Sequence, residues 1–178
     1  MAGGTAYARA MTTFDPPLRV RPTTPEDAPA LSRILNEIIA IGGTTALETP
    51  LGEAEFRTEF LDGAGVLSSL VAETAAGDAL GFQVLQHNRA LPDGWGDIAT
   101  FTRREPRTPG VGSALFEHTK AAGRTLGLVA LNATIRADNA SGLPFYEKLG
   151  FQTYDVAKAI PLKDGTPVDR LRKRYSLR

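Results

Sequence analysis

From Arg107 to Ser113 the chain reads Arg-Thr-Pro-Gly-Val-Gly-Ser, a glycine turn running straight into an amphipathic stretch. A helix that begins there presents unpaired backbone N–H groups and the positive end of its dipole, and glycine lets an anion approach without a Cβ in the way. The chemistry suited to such a turn is the cradling of a phosphate or diphosphate. Gly110, Val111, Gly112 and Ser113 supply the N–H groups, because Pro109 has none to give. Arg107 adds a positive charge just upstream. A lone Gly-x-Gly serves equally well as a structural turn, so context has to decide.

Spacing separates the families that use this turn. A nucleoside-triphosphate loop needs a lysine directly after the last glycine, and Ser113-Ala114 stands there instead. A dinucleotide turn needs a third small residue where Leu115 stands, and no acid closes a following strand to meet a ribose. What remains is Arg-x-x-Gly-x-Gly from Arg107 to Gly112, joined further on by Asn139 and then Tyr146-x-x-x-Gly150-Phe151. Together these blocks resemble the coenzyme A loop and the Asn and Tyr-x-x-x-Gly-Phe ending of the GNAT superfamily of N-acetyltransferases. The resemblance spans Leu18 to Leu177 and is carried mainly by Ala99 to Phe151. It departs at Thr108 and Pro109, where relatives often have a basic residue or glycine. The Thr44–Pro50 segment adds a faint likeness to phosphinothricin-type members.

The resemblance implies one mixed α/β domain with a central, mostly antiparallel sheet of about six or seven strands and helices on both faces. It implies acetyl-coenzyme A as acyl donor, a small-molecule amine as acceptor and no metal. It leaves open a homodimer, a protein amine as acceptor, and a module that senses acyl-coenzyme A without turning it over. By the same resemblance Phe101 and Thr102, ending a splayed strand, pair through backbone groups with the pantetheine arm. Asn139 then lies near the amides of that arm and the Tyr146 hydroxyl near the thioester sulfur.

Acetyl transfer to an amine develops a tetrahedral oxyanion, which a backbone N–H on such a strand stabilises, and expels a thiolate that needs a proton. A thiol of pKa about 8.5 and a phenol of about 10 are close enough for Tyr146 to be that acid. A tyrosine between Phe145 and Leu149 also fits a packed position with a satisfied hydroxyl. The acceptor must lose a proton. Of Glu48, Glu73, Asp97, Glu105 and His87, we take Glu48 as the candidate base, because the irregular Thr44–Pro50 segment covers the acceptor side in the family's layout. A solvated loop acid is its plain alternative.

These residues need elements to hold them. Leu18 to Pro22 reads as a short strand, and Thr24-Pro25-Glu26-Asp27 opens a helix with a cap residue, an early proline and acids in its first turn, ending at Gly42-Gly43. Gly52 to Leu61 is a second helical stretch. Val66–Glu73 and Ala79–His87 form a hairpin, and Trp95–Thr102 is the next strand. Ser113–Leu126, Val129–Ile135 and Ser141–Leu149 continue as helix, strand and helix. Phe151–Ala159 and Asp169–Leu177 close the chain as antiparallel strands around Lys163-Asp164-Gly165. Arg170, Arg172, Lys173 and Arg174 mark the last strand as an exposed, charged edge.

A chain of 178 residues suits one core, and 42% apolar with 22% charged residues is ordinary globular usage. Twenty basic residues balance twenty acidic ones, so no overall field draws nucleic acid or an anionic membrane. With no cysteine there are no disulfides or thiolate nucleophiles, and His87 and His118 alone argue against a protein-held zinc. Met1–Pro17 lacks the apolar core of a signal peptide and reads as a loose arm before a domain at 18–178. No stretch approaches the roughly 20 apolar residues that cross a bilayer, so a cytoplasmic protein is expected.

Overall fold

The computed structural model describes residues 18–178, and the expected arm at 1–17 lies outside them. In chain order the elements are β1 (Arg19–Pro22), α1 (Ala28–Ile41), α2 (Glu53–Phe56), β2 (Val66–Glu73), β3 (Ala79–Gln86), β4 (Trp95–Thr102), α3 (Val111–Thr125), β5 (Ala130–Arg136), α4 (Gly142–Lys148), β6 (Gln152–Pro161) and β7 (Pro167–Ser176). A 3-10 turn at Pro25–Asp27 leads into α1, and a π-helical turn at Arg57–Leu61 continues α2. The strands form one seven-stranded sheet in the order β1-β2-β3-β4-β5-β7-β6. Every neighbouring pair is antiparallel except β4 with β5. The mixed α/β architecture expected from the sequence is therefore the one observed.

Two apolar surfaces hold helices to this sheet. On one face Leu31, Ile34, Leu35 and Ile38 of α1, at helical spacing, pack with Phe56 and Phe60 onto Val71, Phe82, Val84 and Phe101. Four phenylalanines meet there: Phe82 stacks on Phe101 at 5.0 Å and takes Phe56 edge-on at 5.3 Å and Phe60 at 5.9 Å. On the opposite face Val111 and Leu115 of α3 cover Leu70, Ala72 and Leu80, while Phe116 and Tyr146 join Leu85, Ile98 and Leu131.

Polar ties set the ends of the elements. Arg21 grips Asp27 with both terminal nitrogens, at 2.7 and 2.8 Å, and reaches Glu73 with Nε at 2.9 Å, joining β1, the start of α1 and β2. Glu73 is thus a buried structural acid. The sequence expectation that fails is the charged edge. β7 runs inside the sheet between β5 and β6, and Arg170 and Lys173 are buried. Lys173 offsets its desolvation by donating to Glu147 and to Thr153, each at 3.0 Å. The edge is β6, whose residues are mostly exposed.

Phe82 has no exposure and touches the other three rings, so Phe82→Ala is expected to cost roughly 3–5 kcal/mol. Thermal unfolding checks this as a Tm lower by roughly 6–20 °C.

Candidate active site

β4 and β5 start as a parallel pair and then part. Trp95, Gly96 and Asp97 lie opposite Ala130, Leu131 and Asn132, and pairing goes no further, although β4 continues to Thr102 and β5 to Arg136. The rest of β4 keeps its register with β3 only. The Arg103 N–H donates to the Leu80 carbonyl at 2.8 Å, which by alternation turns the backbone groups of Phe101 toward β3 and those of Thr100 and Thr102 into the opening. Phe101 thus turns its backbone to β3 and its ring into the aromatic cluster, while Thr102 faces the opening with backbone groups that have no strand partner there.

At the mouth of the opening α3 begins. Gly110 stands at φ 83°, a left-handed conformation that glycine adopts without strain, and turns the chain into the helix. The first helical hydrogen bond runs from Ala114 N–H to the Gly110 carbonyl at 2.9 Å, so the N–H groups of Val111, Gly112 and Ser113 have no acceptor among the described residues. Gly112 has a second reason to be glycine. A Cβ there would stand 2.8 Å from two atoms of the Phe145 ring and 3.7 Å from Thr100 Cγ2. The missing side chain lets the first turn of α3 settle against both α4 and β4. Arg107 is exposed just before this turn.

Tyr146 reaches the opening from α4. Its hydroxyl lies 3.1 Å from Thr100 Oγ1, which in turn accepts from Gln83 Nε2 at 2.6 Å. Gln83 and Thr100 are direct cross-strand partners, so the line from β3 through β4 to α4 follows from register. Thr100 accepts from Gln83 and shares with Tyr146 a hydrogen bond in which either hydroxyl can donate. Burial among Phe145 and Phe151 pushes the Tyr146 hydroxyl up to about 12, the hydrogen bond from Thr100 drawing it partly back and the nearby Asp97 charge adding to the rise. Neither Gln83 nor Thr100 is singled out by sequence. An alternating strand carries no mark of which polar residue has a partner across the sheet.

Two further expected residues act on the segment that follows α1. Asn139 accepts from Gly142 N–H at 2.8 Å and Ser141 Oγ at 3.1 Å and donates to the Thr44 carbonyl at 2.8 Å. Its carboxamide thus joins the entrance of α4 to residue 44. Glu48 is exposed and accepts the Lys163 N–H on both oxygens, at 3.1 and 2.9 Å, so it fastens the same segment to the β6–β7 turn. At the floor of the opening Asp97 accepts from Asn88 at 2.8 Å and from Asn132 at 2.7 Å.

The site is thus an open sheet that parts at its one parallel junction, with a bare helix start on one side of the gap and a buried phenol on the other. The acetyltransferase (GNAT) family model matches residues 36–151, well over half of the chain. The chain belongs to this family, whose members carry out acetyl-coenzyme A-dependent acetyl transfer. No curated protein matches the sequence at a significant level. Among solved structures it is similar to a phosphinothricin acetyltransferase from Sinorhizobium meliloti in complex with acetyl-coenzyme A, at 24% identity and TM-score 0.78 over 89% of this chain and 88% of that one. A GCN5-related N-acetyltransferase from Kribbella flavida is similar at 22% and 0.78, over 89% and 97%. A ribosomal-protein-alanine N-acetyltransferase from Brucella melitensis is similar at 23% and 0.76, over 89% and 99%. At these identities the likeness is one of fold.

The folded protein holds the Tyr146 proton to about pH 12, whereas an unfolded chain releases it near pH 10. The stabilisation this provides is complete below about pH 10 and is lost as pH rises toward 12, at about 1.4 kcal/mol per pH unit. Urea unfolding above pH 10 is expected to show that slope in wild type and a shallower one in Tyr146→Phe.

Proposed function

We propose that this chain transfers the acetyl group of acetyl-coenzyme A directly to the amine of a small molecule. The observation that carries the reading is the parting of β4 from β5 beneath the unpaired N–H groups of α3. The donor's fit is tested by what the gap contains: donors for a diphosphate at Val111, Gly112 and Ser113, and backbone groups of Thr100 and Thr102 without strand partners on the β5 side. Arg107 adds charge at the entrance. Acetyl-coenzyme A supplies a thioester, whose carbonyl oxygen gains negative charge under attack and whose sulfur departs needing a proton.

The chain's own groups meet those two demands. A backbone N–H of β4 facing the gap stabilises charge on oxygen, and the Tyr146 hydroxyl beside Thr100 supplies the proton for the departing sulfur. Asn139 and Glu48 shape the acceptor side by fixing residues 44–48 to α4 and to the β6–β7 turn. The proton that the amine releases passes to the exposed Glu48 carboxylate and on to solvent, from which the Tyr146 phenolate is reprotonated. No cysteine is present to carry an acyl group, in keeping with direct transfer. The acceptor-side segment, fastened by Asn139, Arg136 and Glu48, favours a small acceptor over a protein one.

Calorimetric titration of acetyl-coenzyme A tests the cradle. A carboxylate in the first turn of a helix favours the helix but repels a diphosphate, so Ser113→Asp is expected to bind at least about tenfold more weakly while keeping or raising the Tm. Thiol release with a panel of amines tests the chemistry. Tyr146→Phe is expected to lower kcat by roughly 10²-fold and leave the affinity for acetyl-coenzyme A unchanged. Absence of binding by the wild type would sink the reading, and binding without release from any amine would reduce it to a sensor.

A further inference from the structure

Arg170 is a buried guanidinium with nothing to bind. Its exposure is 8%, it makes no hydrogen bond or ion pair among the described residues, and its Nη1 is fully enclosed without an acceptor. Its direct partner across β5 and β7 is Arg136, equally buried at 7%. Arg136 is served: Nε and Nη2 donate to Asp138 at 2.8 and 2.6 Å, and Nη1 donates to the Thr45 carbonyl at 3.2 Å. The nearby Asp138 and Glu48 soften the field at Arg170 without touching it, while burial and the Arg136 charge work against its charged form. A second donor of the same corner is also unspent. The Thr44 hydroxyl, next to the carbonyl that Arg136 holds, is buried without a partner.

A buried cation without a counter-charge is among the most costly arrangements a fold can carry, and one left standing beside a second cation calls for an anion from outside. Register places this cation relative to the gap. β4 and β5 last pair at Asp97 with Asn132, and Arg170 lies on the next strand, level with Arg136 at the end of β5. Arg170 therefore lies beyond the last β4–β5 pair, across the opening from the end of β4. It projects on the same sheet face as Arg136, the face that carries the 44–48 segment.

We infer that Arg170, with the Thr44 hydroxyl, is the recognition site for a carboxylate on the acceptor, which makes the preferred acceptor an amine with an acid group a few bonds from its nitrogen. The inference rests on the transferase reading above and gives its acceptor a charge. Guanidinium and carboxylate pair through parallel hydrogen bonds, and the pair forms where water is already excluded. Arg170 selects the acceptor and takes no part in the transfer itself.

Amino acids and their carboxamides form the matched test, with thiol release read for wild type, Arg170→Met and Arg170→Lys. The wild type is expected to use the acids at least about tenfold better in kcat/KM than the amides. Arg170→Met is expected to abolish that ratio through KM, with acetyl-coenzyme A affinity unchanged, and Arg170→Lys to keep part of it. Aminoalkylphosphonates form a third arm, and their preference over the acids would overturn the carboxylate assignment. A second readout needs no acceptor. Removing an unpaired buried charge is expected to raise the Tm of Arg170→Met by about 2–4 °C, whereas a structural arginine would lower it. A lowered Tm, equal use of acids and amides by the wild type, a ratio that survives Arg170→Met, or binding of acetyl-coenzyme A with no acid turned over each overturns the inference. Failure of the wild type to bind acetyl-coenzyme A at all instead overturns the transferase reading beneath it.

Discussion

The separation of β4 from β5 after three paired residues governs the rest of the molecule. Leaving strand backbone unpaired inside a sheet is unfavourable, since each buried N–H or C=O without a partner forfeits a hydrogen bond. The fold holds the strands apart by committing each to a different neighbour. β4 stays in register with β3 as far as Thr102, and β5 pairs with β7 as far as Arg136. The four-phenylalanine cluster presses on β4 from one face, and α3 and α4 bear on both strands from the other. Neither strand can move toward the other without losing an antiparallel partner and an aromatic or aliphatic contact. The gap is thus enforced by what surrounds it, and its open backbone is available to a ligand.

Much of this was legible in the sequence, because the decisive signals are local. The strands of the β2–β3 hairpin are rich in β-forming residues, Val129–Ile135 alternates, α1 shows its apolar stripe, and the glycine turn before α3 joins to Tyr146 and Gly150 at fixed spacing. Boundaries moved little. The helix after the turn begins at Val111 instead of Ser113, since Gly110 itself makes the left-handed step into it. What stayed hidden depends on pairing across the sheet. The run of basic residues in β7 looks like a protected edge when read alone, and only the insertion of β7 between β5 and β6 buries Arg170 and Lys173. Gln83 and Thr100 are ordinary polar residues on their own strands until register sets them side by side. Glu48 was assigned from the position of its segment, and the partner it finds, Lys163, is too distant in sequence for any periodicity to point to it.

The two sides of the gap are built by different means. On the proposed donor side the gap presents backbone, with N–H groups of α3 and the exposed groups of β4, and little from side chains beyond the absence of one at Gly112. On the proposed acceptor side it is bounded by side chains that bind loops: Asn139 holds residue 44, Arg136 holds residue 45 and Glu48 holds the β6–β7 turn. Backbone recognition fixes one donor by geometry that substitution hardly alters. Side-chain recognition on connecting segments lets the acceptor change while the fold stays constant. Arg170 belongs to this second system, as the one buried charge there that the described residues leave without an ion-pair or hydrogen-bond partner.

The buried phenol links the two sides. Burial alone makes Tyr146 a reluctant donor, since its proton is held to about pH 12, well above the ordinary thiol value of about 8.5. The group that works against this is Thr100, whose hydrogen bond stabilises the phenolate and so strengthens the acid. Thr100 is itself held by Gln83, which donates to it from β3. Tyr146 is thus tied through Thr100 to Gln83 on β3. The same β3–β4 register that keeps β4 from closing on β5 also sets Thr100 beside Gln83, and so fixes the hydroxyl that the phenol meets.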